Sequence, residues 1–106
     1  MREIKVGSIY KHFKNKYYIV LDIVNDCESN NEKEYRKIVI YKALYGEYKV
    51  WARDYEMFAS LVDHNKYPEI KQKYRFEEIE NINELKEYIN NYHKELNVMI
   101  SNLTDF

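Results

Sequence analysis

The chain is poor in the residues that most often carry chemistry at small sites. It has one cysteine, Cys27, in 106 residues, which excludes an intramolecular disulfide framework and a Cys-rich zinc site. Cys27 lies between Asp26 and Glu28, acidic neighbours that do not favour a thiolate nucleophile. There are two glycines and one proline, and no phosphate-binding loop, dinucleotide fingerprint or nucleophile elbow is present. The three histidines, His12, His64 and His93, are scattered and form neither an HxH nor an HExxH spacing, so no metal site or other cofactor is expected. Four arginines (Arg2, Arg36, Arg53 and Arg75) leave few candidates for forked recognition of a phosphate or carboxylate. Seventeen basic residues against eighteen acidic ones give a net charge of −1, and nucleic-acid binding is disfavoured by that balance. No apolar run is long enough for a membrane span, and Met1–Phe13 lacks the uninterrupted apolar core of a signal peptide. A cytoplasmic protein without a membrane partner is the expectation.

What the chain does have is tyrosine, twelve of them beside four phenylalanines and one tryptophan. A tyrosine buries its ring and leaves its hydroxyl wet, which suits the boundary of a small β-rich domain. Residues 40–58, IYKALYGEYKVWARDYEMF, hold Trp51, Arg53, Gly46 and four of the tyrosines. This stretch reads as strand, tight turn, strand and bent exit, with Gly46 supplying positive φ at the turn. In the second strand Lys49, Trp51 and Arg53 share one face, and Tyr48, Val50 and Ala52 the other.

Upstream, Ile9–Phe13 alternates as a short half-buried strand, and Lys14-Asn15-Lys16 is a polar turn whose asparagine tolerates left-handed backbone. Tyr17–Val24 is β-branched and aromatic. Strict alternation there puts Ile19, Leu21 and Ile23 on one face and Tyr18, Val20, Asp22 and Val24 on the other. Asn25–Glu34 is a polar connector, and Tyr35–Leu44 resumes as a strand. Pro68 interrupts any regular element near it; Tyr74-Arg75-Phe76 then returns to the sheet. From Asn83 the period changes. Leu85, Tyr88, Ile89, Tyr92, Leu96, Met99, Ile100 and Leu103 form the stripe of an amphipathic helix. The resulting division is a small antiparallel β-barrel domain over 1–80 and a helix over 81–106. That helix packs either on its own barrel or on a partner chain, in the second case giving a homodimer.

Several spaced blocks in one order resemble a known family. Tyr10-Lys11-His12-Phe13-Lys14 with Tyr18-Ile19-Val20-Leu21 is similar to its YxHFK…YxVL. Val39–Gly46 is similar to its VVYxALYG, and Trp51-Ala52-Arg53 with Met57-Phe58 to its WxRPxxMF. This is the bacterial domain-of-unknown-function family 1653, and the resemblance spans roughly residues 7–62, with an echo at Arg75-Phe76. It implies an SH3-like small barrel, hence an α+β, mainly β fold, and no reaction. Asp54 stands where the family pattern has proline, which implies a less rigid exit from that strand.

These residues favour a binding module over an enzyme. The candidate ligand-binding residues are His12, Tyr17, Tyr45, Trp51 and Arg53, with Glu28 from a loop. Aromatic faces stack on a planar ligand or pack on a short peptide, and Arg53 can clamp an anion, so a nucleotide-like small molecule or a peptide is the expected partner. The alternatives are a hydrolytic or lyase-type enzyme pairing His12 with Asp22 or Glu28, and an oligomeric scaffold.

Overall fold

Aromatic and β-branched residues at alternate positions build five antiparallel strands, and a one-turn helix joins the fourth to the last. The structure, a computed structural model, describes residues 2–29, 34–81, 83–88 and 90–91. The strands are β1 (Ile9–His12), β2 (Lys16–Asn25), β3 (Lys37–Ala43), β4 (Val50–Asp54) and β5 (Phe76–Glu78), with α1 (Tyr55–Phe58) between the last two. They form one sheet in the order β4-β3-β2-β1-β5. The turns follow the sequence signals: Asn15 has φ 64° and Gly46 φ 60°. Tyr48 also takes positive φ, 55°, an uncommon conformation for a side chain of its bulk.

The expected closed barrel is not formed. β4 and β5 are the two edges of an open sheet, and among the described residues no ladder joins them. The segment after α1 pairs with itself instead: Leu61 bridges Tyr74, the Val62 amide donates to the Lys73 carbonyl at 2.9 Å and the Arg75 amide to the Ser60 carbonyl at 2.9 Å. Only three residues remain for β5, and their ladder is to β1. The fold is mainly β, with α1 and a second helical stretch at residues 83–88 and 90–91. The greater part of the expected helical stripe, and the tip of the β2–β3 loop, lie outside the described residues.

Alternation in β2 also departs from expectation. Val20 pairs with Tyr41, but Asp22 pairs with Ile40, so Leu21 is a surplus residue in a β-bulge. Before the bulge the even positions face the core, and Val20 is buried; after it the odd position Ile23 packs on the core while Leu21 and Val24 are exposed. The face assigned to Ile19, Leu21 and Ile23 together is therefore split, because a two-for-one bulge inverts the side-chain parity.

At the centre Phe58 and Phe76 stack nearly parallel at 4.1 Å. Tyr10 meets Phe58 edge-on at 5.5 Å, and Tyr41 meets both rings at 5.2 and 5.6 Å. Val20, Val39, Ile4 and Ala59 complete this cluster. The N-terminal strap is tied down by its backbone, since the Ile4 amide donates to the Tyr55 hydroxyl at 2.7 Å and the Lys5 amide to the Tyr10 hydroxyl at 2.9 Å. Asp54, where the family pattern has proline, stiffens the exit from β4. Its carboxylate accepts from the Glu56 and Met57 amides at 2.9 and 3.3 Å, an N-cap for α1, and meets Arg36 at 3.6 Å.

Candidate functional site

Register places the site. Tyr41 lies opposite Trp51 and Val39 opposite Arg53, so Trp51 and Arg53 share the core-side face with Tyr41 but stand at its rim. Trp51 is 48% exposed while Tyr41 is 5% exposed. From the far side of the same face, β1 delivers His12 and β2 delivers Tyr18. His12 stacks on Phe13 at 4.4 Å and meets Phe76 edge-on at 4.9 Å. Tyr18 touches Tyr41 at 5.3 Å, Tyr45 at 5.6 Å and Phe76 at 5.6 Å, all edge-on, and its hydroxyl lies 2.6 Å from that of Tyr45. Edge-to-face packing of this kind sets each ring rigidly against the next.

Cations surround this aromatic bed. The Arg53 Nε donates to the Tyr41 hydroxyl at 3.3 Å, and its guanidinium carbon lies 5.7 Å over the Phe76 ring. Lys16 sits 4.9 Å over Tyr45, and Lys14 5.9 Å from Phe13 and Tyr67. Arg75 approaches from just before β5. Its backbone is held by Ser60 and Phe13, yet its Nε is buried with no hydrogen-bond partner. Among the described residues, none of Lys14, Lys16, Arg53 and Arg75 makes an ion pair; the ion pairs present use Lys5, Lys11, Arg36 and Lys49.

The electrostatics follow. Burial, and then Arg53, Arg75 and Lys14, push the His12 pKa down to about 4, so the ring is neutral at neutral pH. The Lys14 amide donates to His12 Nδ1 at 3.1 Å. That nitrogen is therefore the acceptor, and the ring proton is on Nε2. Burial, and then the hydrogen bond with Tyr45, raise the Tyr18 pKa, which keeps that phenol protonated. The face thus offers uncharged ring donors and guanidinium groups. The charges acting on His12 are cations, and neither Asp22 nor Glu28 is among them.

Of the six residues singled out from the sequence, the structure gathers His12, Tyr45, Trp51 and Arg53 on this face. Tyr17 points to the opposite side, where it is buried, donates to the Glu84 carboxylate and packs on Tyr88 at 4.4 Å. Glu28 follows β2, its amide donating to Asp26 at 3.0 Å, and lines a separate depression of about 750 Å³ with Arg36 and Asp54. Arg75 and Tyr18 were not singled out. The single signal for Arg75 was the Arg75-Phe76 echo of the family pattern.

A protein-family model described as a protein of unknown function (DUF1653) matches residues 8–78. The chain belongs to the DUF1653 family. The DUF1653 match runs from the residue before β1 to the end of β5, past the resembling blocks that end near residue 62, and takes in His12, Tyr18, Tyr45, Trp51, Arg53 and Arg75. The helical residues 83–88 and 90–91 lie outside it. No curated protein and no solved structure matches the chain significantly. Among the described residues there is no helix long and apolar enough to cross a membrane, and no group of three His, Cys, Asp or Glu side chains placed to hold a metal.

Proposed function

We propose that this domain is a cytoplasmic binding module that takes a small anionic ligand with a planar part on the His12/Tyr45/Trp51/Arg53 face, with Arg75 as a further anion donor. One observation carries this: Arg53 and Arg75 both act on neutral His12 in an aromatic-lined site where no carboxylate among the described residues pairs with them, and the Arg75 Nε is buried with no acceptor. Buried polar groups are nearly always paired, and each exception calls for an explanation. An anion supplies it, since guanidinium groups bind carboxylates and phosphates with strong charge-assisted hydrogen bonds. Exposed Trp51 gives the planar part a ring to stack on. A nucleotide-like metabolite fits both halves; a short acidic peptide fits the cationic half.

Strand order β4-β3-β2-β1-β5, with a one-turn helix between the last two strands, supports an SH3-like reading of the sheet. An enzyme built on His12 has less support, because the groups around that ring are cations and offer no base to orient it. Thermal-shift screening of the full chain against nucleotides, anionic metabolites and acidic peptides tests the proposal. A stabilising ligand is expected, and its shift should vanish in Arg53→Ala and Arg75→Ala and shrink in Trp51→Ala. A ligand whose shift survives both arginine substitutions would place binding elsewhere.

A further inference from the structure

We infer that β4 pairs with β4 of a second copy of this chain, antiparallel about a twofold axis at Ala52. This goes beyond ligand binding and does not require it. The phase of the backbone is the starting point. The Ala43 amide donates to the Lys49 carbonyl at 2.9 Å, and β3 and β4 pair as Lys42 with Val50 through Ile38 with Asp54. In an antiparallel ladder hydrogen-bonded and non-hydrogen-bonded pairs alternate. Lys49, Trp51 and Arg53 therefore turn their backbone groups towards β3, while Val50, Ala52 and Asp54 turn theirs outward. Those outward groups lie on a sheet edge, beside side chains that are 54% exposed at Val50 and 48% at Trp51. An edge carrying such apolar side chains is a template for another strand.

The side chains then select the occupant. Turning Val50–Asp54 about Ala52 sets Ala52 against the partner's Ala52 and Val50 against the partner's Asp54. These are the outward-turned residues, so each pair is a hydrogen-bonded one. Trp51 falls opposite the partner's Arg53, and Arg53 opposite the partner's Trp51. Both are non-hydrogen-bonded pairs, where side chains approach most closely. Two indole–guanidinium contacts are made at once, with a small residue on the axis and no like charges facing. The other edge fails the same operation. Turning β5 about Glu77 sets that carboxylate against its own copy, and Glu78 adds to the repulsion. Because the β4 contact is isologous, it consumes both edges it uses and stops at two chains.

The pairing also joins two ligand faces into one platform, with the partner's Arg53 over each Trp51. Sedimentation of the full chain should show a reversible monomer–dimer equilibrium. Ala52→Pro removes an amide that β3 does not use, and should weaken the dimer by about tenfold or more, the scale of one lost hydrogen-bonded contact. Trp51→Lys leaves the backbone intact and sets a lysine against the partner's Arg53; it should weaken the dimer at least as much. The register has its own check in a Cys27→Ser background. Ala52→Cys should oxidise to a covalent dimer, since hydrogen-bonded partners have Cα atoms about 5.5 Å apart. Val50→Cys should not, because its symmetry mates are about 13 Å or more apart. A chain that stays monomeric at its highest soluble concentration would overturn the inference. So would a dimer indifferent to both Ala52→Pro and Trp51→Lys, or equal cross-linking at positions 50 and 52. Arg75→Ala separates the two proposals, since it should abolish the ligand shift and leave the mass in solution unchanged.

Discussion

The two faces of the sheet use similar residues to opposite ends. On the side covered by residues 83–88, Lys11 meets Glu84 at 3.3 Å, Tyr17 donates to Glu84, and Tyr88 donates to the Leu44 carbonyl at 3.0 Å. Lysine, tyrosine and carboxylate there satisfy one another, and the Tyr17 hydrogen bond holds the Glu84 pKa below its ordinary value. On the core-side rim, lysines, arginines and tyrosines again lie together, but among the described residues no carboxylate pairs with them. The first face is finished as a piece of structure. On the second, among the described residues, Lys14, Lys16, Arg53 and Arg75 lie outside any ion pair and the buried Arg75 Nε has no partner, which is what the proposed anion would meet. Composition does not distinguish the two faces; pairing does.

On the core-side face, beneath the rim, lies the ring stack, and removing it tests whether the rim depends on it. Phe58→Ala should have the largest effect, about 3–5 kcal/mol of stability, because Phe58 is fully buried against Phe76, Tyr10 and Tyr41. Urea titration would measure it. A loss below about 1 kcal/mol would mean that the stack is not the support of the rim.

A smaller effect is expected from pH. The His12 pKa is about 4 in the folded chain against 6.5 for the free side chain. As pH falls from 6.5 towards 4, the unfolded chain takes up a proton that the folded chain refuses, so stability falls through that window and this contribution levels off below about 4. His12→Gln should flatten that part of the stability–pH profile relative to the wild type, read as the difference between the two midpoints. Parallel profiles would show that burial and the cations around His12 do not hold it neutral.

The smallest pair of effects sharpens the contrast most directly. Tyr17→Phe, on the finished face, should cost about 1 kcal/mol, the net worth of a hydrogen bond. Arg75→Met, on the core-side face, should leave the ligand-free protein equally or more stable, by up to about 1 kcal/mol, since it deletes a buried donor that has no partner. Thermal unfolding of the two variants side by side decides it. A loss in both would mean that Arg75 is as structural as Tyr17.

Much of the fold was legible because local signals and the sheet agree. Asn15 and Gly46 mark their turns through the conformations they tolerate, and the β-branched runs became β2 and β3. The family blocks held the same strands in the same order. Leu21 was not legible, because a bulge is set by how two strands meet and leaves no mark on either alone. Nor was closure, which depends on whether residues after Phe58 reach β4 or fold back on themselves. The site was half legible. Trp51 and Arg53 share a face by simple alternation, and pairing with β3 then put Tyr41 beneath them. Arg75 comes to His12 only through the pairing of β5 with β1, a contact between chain segments that no local pattern reports. Tyr17 and Tyr18 are adjacent and similar, and which of them faced the site depended on the register of the hairpin.

The bulge at Leu21 has a consequence for how this strand tolerates changes in length. Val20 and Asp22 pair with Tyr41 and Ile40, which are already neighbours on β3. Loss of the codon for Leu21 would leave every other partner and every inward side chain of β2 where it is. Loss of Val20 would instead send Leu21 into the buried place opposite Tyr41, and loss of Ile23 would bring Asp22 to the inward place opposite Val39. Within a segment where sequence length is otherwise fixed by the ladder, this one exposed leucine is the place where the chain can be shortened without changing what is inside.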